Sequence, residues 1–197
     1  MFANRFTALI DACCLVGALG RNTLLSLADS ELYRARWSQD ILHETHRALI
    51  GILDDGDNTA ATAKATQHVD AINRAFPEAT VEKYNLIQDN LNNCLPDPND
   101  THVLAAAIKC KASIIVTDNV RDFPTDTLDS YNIERLTADD FIANTIDLNQ
   151  QKAVLALRDM RMRFEKPELT SEALLLLYEK RGFLLTADIL REHVENL

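Results

Sequence analysis

Glycine and proline are scarce, five of each in 197 residues, too few for a disordered chain or a turn-rich β-sandwich. No apolar run approaches the roughly 20 residues that cross a bilayer as a helix. The first residues, Met1 to Arg5, run straight into Phe6-Thr7-Ala8-Leu9-Ile10-Asp11. They lack the charged, apolar and small-residue order of a secretory leader, so the expected location is the cytoplasm, with no membrane partner. The four cysteines, Cys13, Cys14, Cys94 and Cys110, form no CxxC pair and no metal-ligand spacing. In a reducing compartment they are expected to act as small apolar residues.

Basic charge is also short: 20 Lys and Arg stand against 30 Asp and Glu, a net −10. Residues 1–148 carry all of that excess, and 149–197 are neutral. An acidic body argues against loose, charge-driven binding to nucleic acid. It leaves room for a substrate that reaches an acidic site through bound cations. The Gly-rich phosphate loops GxGxxG and GxxxxGK[ST] are absent, as is the GxSxG elbow of hydrolases. His43-Glu44-Thr45-His46 does not make a metalloprotease helix, because its histidines are three apart and HExxH needs four. Two exposed histidines on an amphipathic helix are expected instead.

Apolar periodicity supplies the elements. A short strand over 6–12 ends on Asp11. A helix is expected over 15–30, with Leu19, Leu24, Leu25, Leu27 and Ala28 as its apolar face. Residues 33–37 alternate as a strand, and Ser38 caps a helix reaching about Leu53. Another helix covers 59–76, and a strand is expected over 79–84. Asp97-Pro98-Asn99-Asp100 opens a helix to about Lys111: Asp97 can cap, Pro98 suits the first position and Asp100 falls in the first turn. Residues 112–117 read as a strand covered on both faces, with a further strand near 133–136. Thr137 and Asp140 resemble a capping box at the start of the next helix. Helices at 149–164, 170–181 and 185–195 follow, separated at Lys166-Pro167 and Arg181-Gly182. The expected architecture is a three-layer α/β/α domain over 1–148 with a mainly parallel sheet, and an all-helical C-terminal extension over 149–197.

The carboxylates collect where such a sheet binds ligands. Strand carboxyl ends and helix N-termini share one edge, and Asp11, Asp100, Asp118 and Asp122 all fall there. Glu44 joins them if its helix packs beside the first strand. Each has a plain structural explanation: a helix dipole for Asp100, turns for Asp118 and Asp122, an exposed helix charge for Glu44. Asp11 is the exception, since a charge at the end of Leu9-Ile10 is costly unless paired or metal-bound. Converging carboxylates without matching Lys or Arg suit a hard divalent cation such as Mg²⁺ or Mn²⁺. The natural chemistry of such a centre is phosphodiester hydrolysis. Asn119 could orient a carboxylate or a water.

Four segments in order carry a resemblance: Thr7–Asp11, Trp37–Glu44, Asp97–Ala107 and Ile115–Phe123. Together they resemble the PIN-domain ribonucleases, and closely the VapC-type toxins of bacterial toxin–antitoxin pairs, over about residues 5–145. The helical tail is similar to the C-terminal extension of one VapC-like subgroup. The resemblance implies an Mg²⁺-dependent endoribonuclease, with Mn²⁺ as a substitute, and a type II toxin with a cognate antitoxin, an RNA substrate and a homodimeric state. It places Asp11, Glu44, Asp100, Asn119 and Asp122 in the catalytic set, Asp11 and Asp100 being the principal metal ligands. Asn119 stands where an acid is commoner, and Asp122 could restore that charge, which leaves one or two metals open. Arg21, Thr117, Arg121, Arg158 and Arg161 are candidates for contact with RNA. The last two lie in a segment, 152–166, with a local charge of +3. The alternatives are a metal-dependent small-molecule phosphatase, weakened because Ala12-Cys13 follows Asp11 and no DxD exists, and a catalytically degenerate binding scaffold.

Overall fold

The computed structural model describes residues 6–91, 94–164 and 168–197. The expected break at Lys166-Pro167 lies outside the described residues. Five parallel strands form the sheet: β1 (Thr7–Ile10), β2 (Arg34–Ser38), β3 (Thr80–Val81), β4 (Ile114–Val116) and β5 (Glu134–Leu136), in the order β3-β2-β1-β4-β5. β1 and β4 are short, apolar and almost wholly buried, as strands covered on both faces must be. Their register pairs Leu9 with Ile115 and Ile10 with Val116. The ladder continues one step further, Asp11 N donating to Val116 O at 3.0 Å. From β1 the chain builds outward to β2 and β3, then returns to β4 and β5 on the other side. The strand order therefore switches between β1 and β4, where a crevice opens at the carboxyl edge of such sheets. The architecture is the expected three-layer α/β/α domain with C-terminal helices.

The helices are α1 (Ala12–Val16), α2 (Ala18–Asp29), α3 (Gln39–Leu53), α4 (Asn58–Ala75), α5 (Asn85–Gln88), α6 (Thr101–Cys110), α7 (Thr125–Asp129), α8 (Ala138–Leu148), α9 (Gln150–Met162), α10 (Ser171–Lys180) and α11 (Leu184–Arg191). Caps fix several starts: Ser38 Oγ accepts from Ile41 N, and Thr137 Oγ1 accepts from Asp140 N. The helix expected over 15–30 is two helices, because Gly17 takes an extended conformation between α1 and α2. Pro98–Asp100 is a 3₁₀ turn that Asp97 caps, so Asp100 stands at the entrance of α6. The strand expected over 79–84 is cut to β3, and α5 and α7 lie in stretches for which the sequence pattern gives no element.

Two compact units emerge, neither continuous in sequence. One comprises Phe6–Val16 and Ala35–Arg135, the other Gly17–Arg34 and Leu136–Leu197. In the first, α6 packs on β1, β3 and β4. Its residues Thr101–Ala107 are all buried, and the run of small alanines allows that close approach. In the second, α2 packs on α8 and α9, and α11 on α8 and α10. Helix α8, expected with the first domain, thus shares its core with the tail: Asp139 accepts from Leu185 N, Thr186 N and Thr186 Oγ1 at the start of α11.

Candidate active site

The switch point holds an acidic centre built from β1, β4, α3 and the entrance of α6. Asp11, 6% exposed, leaves β1 and is fixed by three donors. Ala12 N reaches Oδ1 at 2.6 Å, Thr117 Oγ1 reaches Oδ2 at 2.7 Å, and Cys13 Sγ lies 3.3 Å from Oδ2. Thr117 is fully buried at the end of β4 and also accepts from Asn119 N at 3.0 Å. Asn119 in turn donates from Nδ2 to Asp100 Oδ2 at 3.2 Å. One chain of hydrogen bonds therefore runs Asp11–Thr117–Asn119–Asp100. Asn119 orients a carboxylate, as an amide can and a fourth acid could not.

The electrostatics are those of an uncompensated cluster. Burial, and then the negative charges of Asp11, Asp97, Asp122 and Glu44, push the Asp100 carboxyl up to about 6. Four acids from separate segments thus act on one group, and the catalytic set expected from sequence is brought together. Glu44, on α3, is half-buried. Its Oε1 takes His102 Nε2 at 3.1 Å and lies 3.8 Å from the exposed Arg47 guanidinium. Burial alone would lower the His102 pKa; the Glu44 hydrogen bond and the charges of Glu44, Asp40 and Asp11 outweigh it, so the ring is shifted upward. Beside this pair an open groove of about 600 Å³ is lined by Asp40, His43, Glu44, Arg47, Asn99 and His102.

Among the described residues, no three His, Cys, Asp or Glu side chains form a group that could enclose a cation by themselves. Mg²⁺ does not require one: it keeps several waters and is held through one or two carboxylates. The donor set is hard oxygen throughout, its repulsion is already expressed at Asp100, and Asp11 is locked in place. These residues fit a hydrated hard cation.

The basic residues expected to contact RNA divide. Arg121 is exposed near the acidic centre in sequence, and Arg158 is exposed on α9. Arg21 is buried on α2, and burial lowers its pKa. Arg161 donates Nε to Leu197 O at 2.9 Å and Nη1 to Leu169 O, tying down the end of the chain. Thr117, expected at the substrate, holds Asp11 instead. Sequence reasoning passed over His102 and Cys13. A histidine heading the apolar run of α6 was the available signal for the first, and adjacency to Asp11 for the second. Cys14 is buried and its thiol is pushed well up, by its contact with Cys13 and by burial. None of the four cysteines forms a disulfide, and Cys13 is exposed.

Known proteins bear on the family of the chain. The PIN domain family matches residues 7–121, and the VapC50 C-terminal domain matches residues 138–192. Over 76 residues the chain is 38% identical to a protein named "Putative ribonuclease VapC50" from Mycobacterium tuberculosis (strain ATCC 25618 / H37Rv). That alignment covers 39% of this chain and 45% of the relative, so the chain spans less than half the relative's length in the match. No solved structure matches the chain. The chain belongs to the PIN domain family, and beyond the PIN match its residues 138–192 are similar to the VapC50 C-terminal domain.

Proposed function

We propose that this chain is a divalent-metal-dependent endoribonuclease and the toxin of a type II toxin–antitoxin pair, acting in the cytoplasm. The Asp100 carboxyl carries the reading. Half-buried and ringed by acids, it is pushed up to about 6, and a protein keeps such a cost where a cation is to relieve it. The relative's name, a ribonuclease, and the nucleases of the PIN family support RNA as substrate. Asp11 and Asp100 would hold the metal, Mg²⁺ or Mn²⁺. When bound, the ion supplies Lewis-acid activation of water and neutralises charge on the scissile phosphate. Thr117 and Ala12 N keep the Asp11 carboxylate in one orientation, and Asn119 does the same for Asp100. Glu44 acts on this centre by its charge and is the group to hold the ion through a bound water and to orient the attacking water. Asp122 adds negative charge, and Arg121 and Arg158 are the exposed cations for the RNA backbone. The antitoxin and a second copy of the chain are the partners proposed.

The test is cleavage of structured RNAs by the partner-free chain in Mg²⁺, Mn²⁺ or EDTA, with Asp11→Asn alongside. The expected outcome is discrete cleavage that needs the metal and drops about a thousandfold in the variant, the scale of several kcal/mol of lost charge stabilisation. Equal cleavage by both proteins would refute the assignment. Release of phosphate from small esters without RNA cleavage would make it a phosphatase, and metal binding with neither activity a scaffold.

A further inference from the structure

The proposed chemistry leaves His102 without a role. It stands at the second position of α6, 6% exposed, at the head of a run in which Val103 to Ala107 are all fully buried. An apolar side chain occupies such a place without losing hydration; a histidine must recover that loss through a partner. Nδ1 is buried and makes no hydrogen bond, so among the described residues the ring's polar contact is Nε2 to Glu44 Oε1, 3.1 Å, across 58 residues of sequence. An ionised carboxylate only accepts, hence Nε2 donates. Leucine would suit the core better, and the carboxylate therefore explains the histidine.

Glu44 needs such a holder. Its side chain is 30% exposed, and its other ionic neighbour, Arg47, is 74% exposed at 3.8 Å, a contact worth little. We propose that His102 is a positioning residue whose Nε2 bond fixes the Glu44 carboxylate toward the acidic centre completed by Asp11 and Asp100. The inference rests on the metal-nuclease reading above. Groups that orient a metal site from just outside it change metal affinity or activity by roughly 10–100-fold.

The experiment is a double-mutant cycle read by Mn²⁺ calorimetry on the full chain: wild type, His102→Leu, Glu44→Gln and both together. His102→Leu is expected to weaken Mn²⁺ binding about tenfold with Glu44 present and less than about twofold in the Glu44→Gln background, since coupled residues do not add. About tenfold weakening in both backgrounds, or none in either, overturns the proposal. If the leucine variant does not fold, His102→Gln decides, because its amide can reach the Nε2 position. Affinity within about threefold of wild type supports the proposal, and a loss near tenfold overturns it. RNA cleavage by the same proteins separates the two readings. A coupled cycle without cleavage by wild type removes only the nuclease; an additive cycle with cleavage intact removes only His102. A wild-type chain that binds no Mn²⁺ removes both.

Discussion

The two units treat polar groups in opposite ways. In the unit of Phe6–Val16 and Ala35–Arg135 the acids face one another, whereas buried ring nitrogens without a partner occur in both units, His102 Nδ1 and Trp37 Nε1 in this one and His193 Nε2 in the helical one. In the helical unit, charged and polar groups are mostly spent on closing the fold. Asp139 takes three donors from the start of α11, Tyr178 Oη and Thr23 Oγ1 share a buried bond of 2.7 Å, and Arg191 meets both Glu179 and Asp188. Burial pushes the Tyr178 phenol far up, against the lowering effect of its bond to Thr23, so it stays neutral at any working pH. The first unit keeps an electrostatic cost that a ligand can relieve; the second has little left for a ligand to relieve. Stability and function are thus separable by region, and substitutions in each should move different observables.

The largest effect expected is in the first unit. Asp100→Asn should lower metal-dependent RNA cleavage about a thousandfold while leaving the metal-free thermal midpoint at pH 7.5 unchanged or higher, because the uncharged amide ends the repulsion. Parallel cleavage assays and thermal melts check it. A variant that loses midpoint along with activity would place Asp100 in the fold's own accounting and erase the contrast between the units.

The mirror-image substitution is Gly20→Ala. A Cβ at Gly20 would lie 2.8 Å from Phe183 Cζ, and that ring packs edge-on to Tyr178 with centroids 6.0 Å apart. The ring must shift, at a cost of about 1–3 kcal/mol. Urea unfolding should report that loss, with Mn²⁺ affinity unchanged; Phe183→Leu in the same chain should recover part of it. Weakened Mn²⁺ binding would show that the helical unit acts on the centre after all.

How much of this was legible in the sequence follows from the range of each interaction. β1 and β4 are short apolar runs and α3 begins on a serine cap, so local signals sufficed. The acids were legible because a parallel sheet puts strand ends and helix starts on one edge. Gly17 was missed because the apolar period runs unbroken from Leu15 to Ala28 and hides one extended residue. α5 and α7, four and five residues long, are too short to show a period. The burial of Arg21, the bonds from Arg161 to Leu169 and Leu197, and the His102–Glu44 pair join residues that no local pattern links. The same holds for α8: its capping signal is local, but its attachment to α11 through Asp139 spans 46 and 47 residues.

The smallest effect tests the contrast most directly, through pH. Asp100 has a folded pKa of about 6 against an ordinary 3.8, so the folded protein holds that proton more tightly than the unfolded chain. Its favourable contribution is complete below pH 4 and is lost as the pH rises through 6. The group is partly open to solvent, which limits the change to about 1 kcal/mol or less. Other carboxylates titrate over the same range, so the useful quantity is a difference. Metal-free Asp100→Asn should gain stability relative to wild type between pH 4.5 and 7.5, measured by urea midpoints at both values. Saturating Mn²⁺ should remove the gain at pH 7.5 by stabilising only the wild type. A difference that does not vary with pH would mean that the acids around Asp100 are too well screened to strain it, and the first unit would then be as settled as the second.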